Sequence, residues 1–155
     1  MTNKERSEQS GRIELNDGMI RYTSAFFGSW QLPASKVRVC GEYTTDNGPM
    51  IDDWFMVFVP DEGNGWYEAS VYATGADLFL TGLAKVFGAE SLYGELFAST
   101  EFASRVIWPS HLRDMPLFEF RSVPMPWWKR LIRLGSGQIR FALSPEVQAF
   151  VARPV

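Results

Sequence analysis

Trp54-Phe55-Met56-Val57-Phe58-Val59-Pro60, then Asp61-Glu62-Gly63-Asn64-Gly65, then Trp66-Tyr67-Glu68-Ala69-Ser70-Val71-Tyr72, make up the stretch on which the fold turns. Two short apolar and aromatic runs flank a polar, glycine-rich loop, and that pattern predicts a β-hairpin. Directly after it the period changes. Leu78, Leu80, Leu83, Val86 and Phe87 recur at helical spacing until Gly88 stops the run, and Thr74 with Asp77 three residues on resembles a variant capping box. A helix from about Gly75 to Phe87 is expected.

Upstream, Asp17-Gly18 sits between two alternating runs, Arg12 to Asn16 and Met19 to Thr23, and predicts a tight hairpin. Extended runs follow at Phe26 to Leu32 and Lys36 to Thr45, the second reading as a strand with one buried face. Downstream, Ser91 to Ser99 carries Leu92, Leu96 and Phe97 and reads as a second short helix. Arg105 to Trp108, Leu117 to Ser122 and Gln138 to Leu143 read as strands, and Ser144-Pro145-Glu146 as the capped start of a last helix. The expected class is therefore α+β. It is a single domain over 11–155 behind a mobile tail over 1–10, built on a largely antiparallel sheet or partly open barrel with one or two packed helices plus short C-terminal helices.

The 155 residues suit one domain, and 46% apolar with 21% charged residues exclude a fibrous or wholly disordered chain. Twelve Phe, six Trp and five Tyr point to a core of large flat side chains. No apolar run approaches the roughly 18 residues that span a bilayer. The polar Met1 to Ser10 lacks a secretory h-region, so a cytoplasmic location is expected, and the single Cys40 agrees with it. The charge is unevenly spread. Between Val39 and Ala84 stand eight acids and no base, whereas Arg121, Lys129, Arg130, Arg133 and Arg140 meet no acid between 121 and 140. Such asymmetry suggests partners, or two blocks that face each other within the fold. The acidic total argues against nucleic acid as the main ligand.

Catalytic signatures are absent from the sequence. His111 is the only histidine, which excludes multi-histidine metal sites, and Cys40 has only Arg38 as a local cationic neighbour and reads as a structural thiol. An acidic cluster drawn from Asp53, Asp61 and Glu68, assisted by His111, is the one arrangement that would make a small enzyme or cation-binding domain. No cofactor or metal is expected.

Trp127-Trp128-Lys129-Arg130-Leu131-Ile132-Arg133-Leu134 is the strongest functional pattern. On a helix, Trp127, Trp128, Leu131, Ile132 and Leu134 share one face within an arc of roughly 160°, while Lys129, Arg133 and Arg130 fall at roughly 200°, 240° and 300°. Eight residues fall short of the roughly 12 to 15 at which isolated helices become even marginal in water, so such a helix needs something to dock on. Its own core, a partner protein or an anionic membrane surface would each serve. The expected function is a non-enzymatic interaction module whose contact residues are Trp127, Trp128, Lys129, Arg130 and Arg133, with weak peripheral membrane contact through the same segment as the alternative.

Overall fold

Asp17 and Gly18 both hold positive φ, 51° and 73°, and turn Arg12–Asn16 (β1) back onto Met19–Ser24 (β2) in unbroken antiparallel register from Arg12↔Thr23 to Asn16↔Met19. Gly28–Pro33 (β3) then pairs with β2 to complete a three-stranded meander. The computed structural model describes residues 9–46, 51–62, 65–97, 101–122 and 139–154. Within them, Val37–Thr44 (β4), Trp54–Pro60 (β5), Tyr67–Ser70 (β6) and Ala103–Trp108 (β7) form a four-stranded sheet in the order β6-β5-β4-β7. Phe118–Ser122 (β8) and Ile139–Leu143 (β9) form a separate hairpin, and the helices that lie wholly within the described residues are Ala76–Phe87 (α1) and Pro145–Val151 (α2). Among the described residues every strand ladder is antiparallel, with one isolated parallel bridge between Arg12 and Thr74, and none of the three sheets closes into a barrel.

The four-stranded sheet is the middle layer. On β5, Met56 and Phe58 join one core cluster while Phe55, Val57 and Val59 join another, as alternation along a strand requires of two opposite faces. The first face packs on Ile13, Ile20, Tyr22 and Leu32 of the meander and on Phe79 and Leu83 of α1. The second packs on Leu117, Phe118, Leu143 and Val147, from the hairpin and α2. Trp30 of β3 reaches across to β6, where its Nε1 donates to the Glu68 carbonyl at 2.8 Å, and its ring lies 5.7 Å from that of Phe58. Phe58 in turn meets Phe79 of α1 edge to face at 5.7 Å, so one aromatic chain joins all three elements.

Three expectations are corrected. First, β4 is buried on both faces, with Cys40 and Glu42 at 0% exposure opposite Val39 and Tyr43, and its period is broken by a bulge between Val37 and Val39. The meander and α1 cover Cys40, and Trp54 and Glu95 close over Glu42, on the face that the alternation assigned to solvent. Second, α1 starts at Gly75 and not with a capping box. The backbone of Thr74 is committed to β1 instead, its N–H donating to the Gly11 carbonyl and its carbonyl accepting from Ile13. Gly75 holds φ 90° where a Cβ would stand 2.7 Å from the Ile13 carbonyl oxygen, so glycine alone fits this junction. That tether also sets the rotation of α1, burying Ala76, Phe79, Leu83 and Ala84 and leaving Leu78 81% exposed. Third, no helix forms over 91–97, for reasons given below. At the ends of the domain, Ser144 does cap α2, accepting from the Val147 N–H with Pro145 in the first turn. Ser10 is buried, its carbonyl accepting from the Tyr22 hydroxyl at 2.8 Å.

Phe58→Ala is expected to lower stability by about 3–5 kcal/mol, whereas Leu78→Ala changes it by no more than about 0.5 kcal/mol. Urea unfolding midpoints of the two variants check the assignment of the helix face.

Candidate functional site

Glu42 stands in the middle of β4 and Arg105 directly opposite it in the register of β7, so the two project together from the same face of the sheet. Both are buried, Glu42 fully. The Arg105 Nε donates to Glu42 Oε1 at 2.6 Å, the Glu95 backbone N–H donates to the same oxygen at 2.8 Å, and the Trp54 indole donates to Oε2 at 2.6 Å. Arg105 spends its remaining donors on Asp114 Oδ1 at 2.6 Å and the Tyr93 carbonyl at 3.2 Å, with Glu95 Oε2 at 3.1 Å. Burial works against the charge on Arg105, but the hydrogen bonds to Glu42 and Asp114 outweigh it and hold its pKa above the ordinary value. Both side chains are thus fully engaged. The centre holds structure together and presents no free base or nucleophile.

This centre is also why 91–97 is not helical. Its backbone groups are captured by side chains of the sheet: Tyr93 gives its carbonyl to Arg105 and Glu95 its N–H to Glu42. Between them Gly94 lies so close that a Cβ there would stand 2.5 Å from the Trp54 ring and 2.6 Å from Glu42 Oε2. The sequence gives one indirect signal of the pairing. Glu42 sits in a long stretch without bases, so its cation had to come from outside that stretch.

The acids named from the sequence are not brought together. Asp61 pairs with Lys36 at 3.3 Å, Glu68 accepts from the Tyr43 hydroxyl at 3.0 Å and lies 3.4 Å from the Trp66 indole nitrogen, and Asp53 accepts from the Tyr72 hydroxyl at 2.9 Å. Its neighbour Asp52 accepts from Ser70. His111 is exposed in the single turn Ser110–Leu112, its ring edge-on to Phe150 at 5.0 Å, with Phe150 also under the Arg38 guanidinium. Among the described residues no group of three or more His, Cys, Asp or Glu could hold a metal ion. Cys40 is fully buried, and desolvation, with a smaller contribution from Glu42, pushes its thiol up to about 12.

Trp127, Trp128, Lys129, Arg130 and Arg133 lie outside the described residues. The strands on either side of them are described. Ser122 of β8 pairs with Ile139 of β9, and the root of the hairpin is fixed by Phe118 against Trp66 at 4.8 Å and Tyr43 at 5.5 Å, and by Phe141 stacked on Phe102 at 4.7 Å. Beside β9 a cleft of about 520 Å³ is lined by Trp66, Phe141, Leu143, Gln148 and Val151, with Asp61 at its margin. Its volume suits a small ligand. Two of its polar side chains also bond outside it, Asp61 to Lys36 and the Gln148 amide to the Leu143 carbonyl. Among the described residues no helix is long and apolar enough to cross a membrane. The described residues thus form an α+β fold of three antiparallel sheets, with a charged pair buried on one face of the four-stranded sheet. No protein-family model, curated protein or solved structure matches it.

Arg105→Leu is expected to destabilise the protein by about 3–5 kcal/mol, because Glu42 is left buried without its cation, and Glu42→Met with Arg105→Leu to cost less than the two single changes added together. A denaturation cycle over the four proteins measures this. For Cys40 the raised pKa means that the folded state keeps the proton which the unfolded chain releases near its ordinary value of 9.0. Its contribution to stability is therefore complete below pH 9.0 and is lost as the pH rises towards about 12. At pH 8 a thiol reagent is expected to label Cys40 only as fast as the protein opens.

Proposed function

We propose that this chain is a non-enzymatic interaction module that contacts a protein partner through the basic-aromatic segment 127–134, with Trp127, Trp128, Lys129, Arg130 and Arg133 as the contact residues. The observation that carries this reading is the pairing of Ser122 with Ile139. Residues 123–138 connect two strands whose partnered ends are held at one point of the molecule, and the root below them is locked into the second core cluster by Phe118 and Leu143. A connection joined at both ends to a rigid hairpin loses less entropy on docking than a free tail of equal length. The residue types agree with the role, because Trp and Arg most often dominate the energy of protein interfaces. An acidic, apolar groove is the complementary surface.

The test uses the full chain as bait in its native source, beside a charge-reversed Arg130→Glu/Arg133→Glu variant and Trp128→Ala. A protein retained by the parent and lost with both variants is expected. Identical retention by all three baits, or retention of nothing, overturns the proposal. Flotation with anionic vesicles at low and high salt covers the membrane alternative: salt-sensitive binding of the parent, abolished by charge reversal, would replace the protein partner with a lipid surface.

A further inference from the structure

Residues 89–97 cross the mouth of the Glu42–Arg105 centre without regular secondary structure, and the manner of their attachment is unusual for a connecting segment. Leu92 is the only one of them buried in the core, and Tyr93 and Phe97 stay 46% and 68% exposed. A segment that merely closes a fold is held by its apolar side chains. Here much of the hold comes from side chains of the sheet reading the backbone: the carbonyl of residue 93 and the N–H of residue 95 are taken on either side of Gly94 by Arg105 and Glu42. Gly94 packs against the Trp54 ring at a distance that no other residue tolerates. The Glu95 carboxylate adds 3.1 Å and 3.6 Å contacts to Arg105 and Arg113.

The receiving side chains all stand outside the strap. Glu42, Arg105 and Trp54 stand on three adjacent strands, β4, β7 and β5, and Arg105 is braced independently by Asp114. The strap, in contrast, places one residue, Leu92, in the core, and its exposed aromatics make contacts at the rim, Phe97 beside Trp54 at 5.8 Å and Tyr93 beneath the Arg113 guanidinium at 5.1 Å.

We propose that residues 89–97 are a displaceable internal ligand. The Glu42, Arg105 and Trp54 side chains form a receptor for an extended peptide segment with a central glycine followed by an acidic residue. The strap occupies that receptor in the isolated chain, and a partner segment of the same chemistry replaces it. This site stands on residues separate from 127–134 and does not depend on the function proposed for that segment.

The probe is a synthetic peptide with the sequence of residues 90–97, compared with the same peptide carrying alanine in place of its glycine. Hydrogen exchange of the full chain is read in both cases. The glycine peptide is expected to bind and to speed exchange of the native 89–97 amides, while the alanine peptide does neither. Leu92→Ala, which loosens the strap, is expected to tighten apparent binding by roughly tenfold, because the binding-competent population rises. Failure of the glycine peptide to bind, or equal binding of both peptides, overturns the proposal. Should Leu92→Ala not fold, Gly94→Ala in the full chain serves instead. Fast exchange confined to 89–97, with β4 and β7 still protected, supports a separable strap, and simultaneous loss of protection throughout refutes it.

Discussion

The buried Glu42–Arg105 pair is the constraint around which the described structure is arranged. Two charges taken out of water impose a desolvation cost of several kcal/mol each, which is recovered only where the geometry is close and every remaining donor and acceptor is filled. Here the guanidinium meets three carboxylates and a carbonyl, and the Glu42 carboxylate receives a guanidinium, an indole and a backbone N–H. Filling that list brings together β4, β5, β7, the strap and the turn at Asp114, whose φ of 68° aims its carboxylate at Arg105. A shifted register of β7 would strand both charges, so the pair selects one pairing of the sheet as well as holding it.

The aromatic content and the one-sided charge are two aspects of one arrangement. Acids between positions 39 and 84 have no neighbouring cation in sequence, yet several find donors on aromatic rings: Trp54 for Glu42, Tyr43 and Trp66 for Glu68, and Tyr72 for Asp53. Each such ring supplies apolar area to a core and a polar tip to a carboxylate at once. Burial, then the Glu68 charge, raises the pKa of the Tyr43 phenol, so it remains a donor throughout the neutral range. A segment rich in acids can thereby fold without importing an equal number of lysines and arginines.

What the sequence made legible was local. The Asp17-Gly18 turn, the hairpin from Trp54 and the Ser144 cap all depend on residues a few positions apart, and each appears in the structure at the expected place. The features it concealed depend on partners far along the chain. Glu42 and Arg105 are 63 positions apart, so nothing near Gly94 revealed that side chains of the sheet would outcompete a helix for its flanking backbone groups. The rotation of α1 was hidden for the same reason, since a bridge between Thr74 and Arg12 sets it and the spacing of leucines does not. The acidic cluster dissolved because Lys36, Tyr43 and Tyr72 each claimed one member. The basic-aromatic octet is a pattern of the sequence alone and lies outside the described residues.

The hydrogen bond from the Trp30 indole to the Glu68 carbonyl has a further consequence, because β6 is the outermost strand of its sheet. An outermost strand normally offers a template on which like chains can stack indefinitely. With the Glu68 carbonyl already occupied, a strand added there would lack one acceptor. One of the protein's own large aromatic residues thereby makes that border a poorer template for like chains.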